Sequence, residues 1–262
     1  VVPNRFEYGY GLTPEIVELV SQQDADVIVT VDNGISSVEG VYAAKQKSIK
    51  VLITDHHLPG CVLPDADAIV NPNLPEDGFP SKHIAGVGVI FYVLMALRTR
   101  LRELNWFQTY AFPEPNLAQL LDFVALGTVA DVVVLDAVNR ILVYQGLLRI
   151  RSGHAHPGIQ ALVTIAGRQI NQLQASDLGF SIAPRLNAAG RMHDMSLGIQ
   201  CLLTDEMHVA QQLSERLEML NKDRREIEGQ MKQEAMALLT EMSALDDKQL
   251  SAGVCLFDEG WH

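Results

Sequence analysis

The stretch Val51-Leu52-Ile53-Thr54-Asp55-His56-His57 runs from three apolar residues into one acid and two histidines. A short apolar run that is bounded by polar residues predicts a buried strand. An acid and two imidazoles lose favourable hydration on burial unless they are paired or bind a cation. The stretch therefore predicts a strand of the core that carries a polar functional site at its tip.

Helices and short apolar strands alternate on both sides of this stretch. Such alternation predicts βαβ units, and fully apolar strands predict a parallel sheet that helices cover on both faces. The predicted fold class is therefore α/β, with a parallel sheet flanked by helices. The predicted order is a helix from Thr13-Pro14 to about Gln23, a strand over Asp26 to Val31, a helix to about Lys47, and strands over Lys50 to Thr54 and Ala68 to Asn71.

A mostly helical portion follows from about residue 81 and ends in a long helix. Apolar residues at three- and four-residue spacing predict helices over Ile84 to Leu101, Leu117 to Ala130 and Ile141 to Ile150. Thr204 can cap a helix of about 39 residues, which would extend about 58 Å and is longer than one compact domain needs. We interpret it as a connecting helix between two domains, with a coiled-coil dimerisation arm as the alternative.

The predicted domain organisation has three parts. A catalytic domain that lacks its N-terminal segment covers residues 1–203, the connecting helix covers 204–245, and residues 246–262 begin a further domain. The chain starts at Val1 without a methionine, and Val254 to Gly260 resembles the opening strand and turn of a domain. We therefore expect a fragment of a longer protein.

Composition indicates a globular protein of the cytoplasm. The chain has 262 residues, of which 48% are hydrophobic, so it can bury a sizeable core. Its longest apolar runs fall short of the roughly 18 residues that span a bilayer, and no leader sequence opens it, so we expect neither membrane insertion nor export. The cysteines, Cys61, Cys201 and Cys255, are three and widely spaced, which favours neither a disulfide framework nor a zinc site.

The charge of the chain is unevenly distributed. A net charge of −12 would ordinarily argue against a nucleic-acid partner. From Arg140 to Arg191, however, there are six arginines and one acid, whereas Asp205 to Asp247 carries eleven acids and five bases. The overall charge therefore does not exclude a nucleic acid bound to one face.

Polar residues follow two neighbouring strands of the predicted sheet. Asp32 follows the strand that ends at Val31, and Asp55-His56-His57 follows the next strand. Ligands bind beyond the carboxyl ends of parallel strands, and a mixed set of carboxylate and imidazole suits manganese or magnesium, with zinc possible. Asp131 adds a third acid at the end of an apolar helix. Each aspartate taken alone is also compatible with an ordinary turn or cap residue.

Two other stretches could contact phosphate. Arg185, Asn187 and Arg191 lie among small residues that would let a nucleic-acid backbone approach, although a surface helix with solvated arginines is the favoured interpretation from the residues alone. Gly86 and Gly88 at a helix start could expose amides to a phosphate, but close helix packing is the favoured interpretation.

Together these stretches resemble the DHH phosphoesterase superfamily and, within it, the bacterial exonucleases specific for single-stranded DNA. The matching segments are PNRFEYGYGL at 3–12, VDNGISS at 31–37, TDHH at 54–57, AGVGV at 85–89, ALGTVADVV at 125–133 and APRLNAAGRM at 183–192. The resemblance implies a two-metal phosphodiesterase that uses Mn²⁺ or Mg²⁺ and degrades single-stranded DNA from its 5′ end to nucleoside 5′-monophosphates.

The resemblance also implies a role for each site residue. Asp32 would bridge two cations, and His56 and Asp131 would hold one of them. Asp55 would orient a ligand histidine, a role that carboxylates commonly play beside metal-bound imidazoles. His57 would contact the scissile phosphate. Arg5 would bind the terminal 5′-phosphate, and Arg191, with Arg185 and Asn187, would hold the DNA backbone.

The family pattern extends beyond this chain at both ends. Its first motif, Asp-x-Asp-x-x-Gly, is expected upstream of residue 1, and its DHH-associated domain is expected to begin near residue 262. We therefore expect weak metal binding and little turnover from the chain alone. The resemblance implies roles in DNA repair and recombination, with a single-stranded-DNA-binding protein and a helicase as partners. Alternatives are a related phosphodiesterase acting on short oligonucleotides, cyclic dinucleotides or pyrophosphate, and a non-catalytic replication scaffold.

Overall fold

A computed structural model describes residues 5–192, 194–245 and 253–261, with side chains described for 7–192, 194–240 and 253–261. These residues form a three-stranded parallel sheet followed by a mostly helical portion, which confirms the predicted fold class. The strands are β1 (Val27–Val31), β2 (Lys50–Thr54) and β3 (Ala68–Val70), and the α-helices are α1 (Arg5–Tyr8), α2 (Pro14–Ser21), α3 (Val38–Gln46), α4 (Gly86–Glu103), α5 (Trp106–Thr109), α6 (Leu121–Ala130), α7 (Ala137–Arg151), α8 (Pro157–Ile165), α9 (Ala175–Asp177), α10 (Ala183–Met192), α11 (Ser196–Leu203) and α12 (Met207–Leu245). A π-helical turn covers Leu178–Ile182, and 3-10 turns cover Leu117–Leu120 and Ile170–Gln172.

The sheet has the order β1-β2-β3, and its register brings the three strand ends together. Val31 pairs with Thr54, and Thr54 pairs with Val70. The pairing extends one residue further, because the Asp32 amide donates to the Thr54 carbonyl at 3.0 Å and the Asp55 amide donates to the Val70 carbonyl at 3.1 Å. The loops after all three strands therefore start at one edge of the sheet.

One face of β1 is not covered as the sequence predicted. Ile28 is buried under α2 and α3, but Val27, Val29 and Val31 are 51%, 48% and 41% exposed. The expectation of a sheet covered on both faces is therefore wrong for β1 within the described residues. A continuous apolar run does not reveal which side of a strand a helix will cover.

The helical portion has a core of its own. Buried side chains from α6, α7, α8, α10 and the π-helical turn pack together, and the start of α12 completes the cluster through Leu213 and Leu217. Gly127 of α6 lets Val87 of α4 approach closely, because a Cβ added at Gly127 would lie 2.8 Å from Val87 Cγ1. This contact fixes α6, and hence its C-terminal end, against the first turn of α4.

The predicted long helix is present as α12, which has 39 residues. It begins at Met207, and Thr204 Oγ1 accepts from the Glu206 amide at 3.1 Å in the turn just before it. Its first turns are buried, whereas most residues from Lys222 to Thr240 are exposed. Its role as a connection between domains stays a prediction.

The described C-terminal residues form no strand over 253–258, contrary to the strand expected near Val254. Trp261 Nε1 instead donates to Glu234 Oε2 of α12 at 2.8 Å. Within the described parts of the chain, no helix has the length and apolar character needed to cross a bilayer.

Candidate metal centre

Asp32 is held at the tip of β1 by an unusual backbone conformation. Its φ is +65°, in the left-handed region that aspartate and asparagine tolerate better than most residues. The turn is closed by Thr30 Oγ1, which donates to the Asn33 carbonyl at 2.7 Å. Gly34 follows with a φ of +112°, and a Cβ there would lie 2.5 Å from Thr30 Oγ1. The turn therefore requires glycine at position 34 and carries the Asp32 carboxylate over the sheet edge.

Asp55 is a fully buried carboxylate that ties two loops together. Its Oδ2 accepts from the Ile35 amide at 2.9 Å, and its Oδ1 accepts from the amides of His56 and His57 at 2.7 and 3.2 Å. Burial opposes ionisation, but these bonds and the one from the His57 ring outweigh it and lower the pKa of Asp55. An ionised Asp55 therefore locks the loop after β1 onto the Asp-His-His turn.

The same carboxylate orients His57. His57 Nδ1 lies 2.7 Å from Asp55 Oδ1, while nearly half of the His57 side chain is exposed. The ring of His56 meets that of His57 edge to face, with centroids 4.5 Å apart. The two imidazoles are thus held at fixed angles with one ring nitrogen of His57 engaged by Asp55.

Two asparagines that the sequence did not single out hold the backbone of this turn. Asn71 Nδ2 donates to the His57 carbonyl at 2.9 Å, and Asn73 Nδ2 donates to the His56 carbonyl at 2.6 Å. Asn71 is buried, and its Oδ1 accepts from the Asn73 amide at 2.8 Å. The signal in the sequence was the Asn-Pro-Asn triplet directly after β3, where a buried amide satisfies carbonyls that leave the sheet.

Three distant parts of the chain meet at His56. Its Nε2 lies 3.0 Å from Asp32 Oδ1 and 3.3 Å from Asp131 Oδ2. Ligand atoms of Asp32, His56 and His57 also lie within 4.8 Å of one another. The predicted site residues Asp32, Asp55, His56, His57 and Asp131 are therefore gathered in one place.

Two atoms of this cluster lack the partners that burial normally demands. Asp32 Oδ1 and His56 Nε2 are shielded from solvent, and neither makes a hydrogen bond within the described residues. They are only 3.0 Å apart, but they are not aligned as donor and acceptor, so the contact is one of proximity and charge. A carboxylate oxygen and an imidazole nitrogen that both point into one shielded space fit a divalent cation between them.

The close spacing of these charged groups shifts the pKa values of His56 and Asp131. The carboxylate of Asp32 raises the pKa of His56 against the effect of burial, and Asp131 and Asp55 add to the rise. Partial burial raises the pKa of Asp131, helped by repulsion from Asp32 and opposed by attraction to His56. The acids therefore concentrate negative charge that a cation would neutralise.

Gly86 places the N-terminal end of α4 directly against Asp32. A Cβ added at Gly86 would lie 2.3 Å from Asp32 Oδ1. The neighbouring Gly88 packs in the same way on Ile84, whose Cγ1 would lie 2.6 Å from an added Cβ. Close packing is thus what these glycines provide, as favoured from the sequence. The partner of Gly86, however, is the site itself, and the positive end of the helix faces a carboxylate.

The three predicted DNA-binding residues of α10 do not share one face. Asn187 and Arg191, one helical turn apart, are exposed, whereas Arg185 is buried. Arg185 Nε lies 2.6 Å from Glu218 Oε2 of α12 without the alignment of a hydrogen bond, and its Nη1 donates to the Ser181 carbonyl. Arg185 therefore joins α10 to α12 here. Arg5 lies in α1, and its side chain is outside those described.

Replacing Glu218 by alanine is expected to destabilise the protein by about 3 kcal/mol, because it would leave the buried Arg185 charge without its partner. The midpoint of urea unfolding measures the change. Glu215→Ala, at an exposed position of the same helix, is the matched control and should have little effect. Removing both charges with Arg185→Met and Glu218→Leu should recover most of the loss. Equal midpoints for Glu218→Ala and the unmodified protein would contradict this assignment.

The chain is similar in sequence to known proteins. Residues 1–128 match the N-terminal domain of the DHH family. The single-stranded-DNA-specific exonuclease RecJ of Salmonella typhimurium is 55% identical over the whole chain, which covers 45% of that protein. The RecJ of Bacillus subtilis is 33% identical, and the chain covers 30% of it. The chain thus spans less than half the length of these curated relatives.

Solved structures show the same likeness. A crystal structure of exonuclease RecJ bound to manganese superposes with a TM-score of 0.76 at 34% identity, covering 89% of this chain and 56% of that one. RecJ of Thermus thermophilus in complex with Mn²⁺ gives a TM-score of 0.72 at 33% identity, covering 84% of this chain and 31% of that one. These two proteins share the fold described above.

Proposed function

We propose, from the match of residues 1–128 to the N-terminal domain of the DHH family, that this chain is part of a metal-dependent exonuclease that degrades single-stranded DNA. The degradation runs from 5′ to 3′ and releases nucleoside 5′-monophosphates for DNA repair and recombination. The observation that carries the proposal is the meeting of Asp32 and Asp131 at His56 Nε2, with buried atoms that lack hydrogen-bond partners among the described residues.

Asp32, His56 and Asp131 are the proposed cation ligands. Mn²⁺ or Mg²⁺ is the proposed cofactor, because the donors are carboxylate and imidazole and because solved relatives were crystallised with these ions. Two cations are expected in the complete protein. When bound, they supply positive charge at the phosphate and make the attacking water more acidic.

The chain's own residues prepare the site in three ways. Asp32 is pre-positioned by its left-handed turn and by the close packing of Gly86. Asp55 fixes the His57 ring through Nδ1, which makes Nδ1 the proton donor and directs Nε2 toward open space. In the imidazolium form His57 Nε2 would also carry a proton, and it would then donate to a phosphate oxygen as negative charge develops on the phosphorus oxygens.

The DNA backbone is proposed to lie along the exposed face of α10. Arg191 can pair with a phosphate through its planar guanidinium, and Asn187 can donate to the same strand one turn earlier. Arg185 is engaged by Glu218, so its proposed contribution is to hold α10 in place. Arg5 is retained as the proposed partner of the terminal 5′-phosphate.

The remaining assignments rest on the same premise. Residues 1–203 are the proposed catalytic domain, 204–245 the connecting helix and 246–262 the start of a DHH-associated domain. We also propose a cytoplasmic location, with a single-stranded-DNA-binding protein and a helicase as partners.

Digestion by the full-length protein tests the proposed function. A 3′-labelled oligonucleotide of about 40 nucleotides with Mn²⁺ should be shortened from its 5′ end, with nucleoside 5′-monophosphates as products, while blunt duplex DNA of the same sequence stays intact. Degradation restricted to dinucleotides or cyclic dinucleotides would favour the related phosphodiesterase instead. Absence of hydrolysis with normal DNA binding would favour the non-catalytic scaffold. The clustered acids and imidazoles speak against that alternative, because a scaffold has no physical need for them.

A further inference from the structure

Phe180 is an aromatic side chain that the fold turns into solvent. It is 82% exposed, although its neighbours Leu178 and Ile182 in the π-helical turn are fully buried. A phenylalanine this exposed leaves most of its apolar ring in water, which a stable fold does not require. Turns of the π-helical type occur frequently at functional sites. The ring is therefore a candidate for contact with a ligand.

The π-helical turn is fixed beside the metal centre. Gly179 packs on the last turn of α6, and a Cβ added there would lie 3.2 Å from Val129 Cγ1 and 3.9 Å from the Val129 carbonyl oxygen. Two residues after Val129, the same helix ends at Asp131, whose carboxylate approaches His56. Phe180, adjacent to Gly179, therefore projects from a backbone that is anchored at the proposed cation site.

Phe180 also lies in the turn that leads directly into α10. Asn187 and Arg191 are one helical turn apart on α10 and share one face. Both are exposed. We name this pair, an amide and a guanidinium, the α10 stripe.

A second apolar surface lies directly after Asp131. Val132 and Val134 are 87% and 60% exposed, and Val132 has a φ of +62°, a strained conformation for a β-branched residue. Such strain is often kept at ligand-binding sites. Exposed apolar side chains therefore occur both on the π-helical turn and on the segment directly after Asp131.

We propose that Phe180 stacks on a base of the bound single strand, while Asn187 and Arg191 of the α10 stripe hold its phosphates. This inference rests on the proposed function and adds a base-binding residue to it. Single strands expose both charged phosphates and flat base faces, and proteins commonly bind them with cationic side chains and aromatic platforms together. Stacking does not distinguish one base from another, which suits an enzyme that must degrade any sequence.

Binding by the full-length protein to a 3′-fluorescein oligonucleotide without divalent cations provides the test. Phe180→Ala is expected to weaken binding by about tenfold, in the range of the loss of one stacked base. Phe180→Trp should retain or improve the affinity. Tyr144→Ala is the matched control, because Tyr144 is also exposed and lies on α7 opposite Gly146, which faces α6.

Oligonucleotides with abasic residues distinguish stacking from a structural role. The unmodified protein should lose affinity when the 5′-proximal bases are replaced one at a time by abasic sites, and at one such site Phe180→Ala should cause no further loss. If Phe180→Ala weakened the binding of normal and abasic strands equally, or weakened neither, the inference would be overturned while the proposed function stayed intact. Failure of the unmodified protein to bind any single strand would overturn both.

Discussion

Replacing Asp32 by asparagine in the full-length protein is expected to lower the rate of DNA hydrolysis by about a thousandfold or more, because the cations lose a charged ligand. The substitution keeps the size of the side chain, and asparagine tolerates the left-handed backbone at this position as well as aspartate does. The loss should therefore come from the carboxylate charge and not from the fold. Calorimetric titration should show correspondingly weaker Mn²⁺ binding.

Asp24→Asn is the matched control for this experiment. Asp24 also has a positive φ, of +52°, and is exposed in the turn before β1, away from the strand ends that carry the cluster. The control should keep the rate and the metal affinity of the unmodified protein. A hydrolysis rate for Asp32→Asn within a few-fold of that of Asp24→Asn would show that Asp32 does not hold the cations.

Replacing Gly86 by alanine is expected to reduce hydrolysis by about a hundredfold, although residue 86 never touches the substrate in our proposal. The added methyl group would lie 2.3 Å from Asp32 Oδ1, so either the carboxylate or the start of α4 must move by about an ångström. Alanine is a better helix former than glycine, so the substitution should not destabilise α4 itself. Hydrolysis rates and Mn²⁺ affinity measure the change, with circular dichroism to follow the fold.

Gly229→Ala controls for the helix effect. Gly229 lies in the exposed part of α12, and an added Cβ would meet no heavy atom within 4 Å. This variant should be slightly more stable than the unmodified protein and equally active. If Gly86→Ala were as active as Gly229→Ala, the close approach of α4 to Asp32 would not matter for catalysis.

The sheet and the gathering of its polar loops could be predicted from the sequence. The observed bounds of β2, Lys50–Thr54, are those predicted, because a polar residue and the Asp-His-His turn limit its apolar run. Parallel strands end at a common edge, so Asp32 and His56 had to be neighbours once β1 and β2 paired. The exposed face of β1 could not be predicted, since its valines look the same whether a helix covers them or not.

The contribution of the helices was harder to predict. Asp131 reaches His56 only because Gly127 packs α6 on α4, and helical periodicity does not reveal which helix will be the partner. The different orientations of Arg185 and Arg191, by contrast, could have been predicted from the sequence. The two residues are six positions apart, which places their side chains roughly 120° apart around a helix. The outward position of Phe180 depends on a π-helical turn, for which the sequence has no comparable signal.

Anomalous diffraction at the manganese edge, from crystals of the full-length protein grown with Mn²⁺, can locate the cation directly. We expect an anomalous peak about 2.1 Å from Asp32 Oδ1 and His56 Nε2, with an Asp131 oxygen completing the contact. In crystals of Asp32→Asn the peak should be lost. Manganese bound elsewhere, or a site in which Asp131 stays out of reach of the ion, would contradict the proposed metal centre.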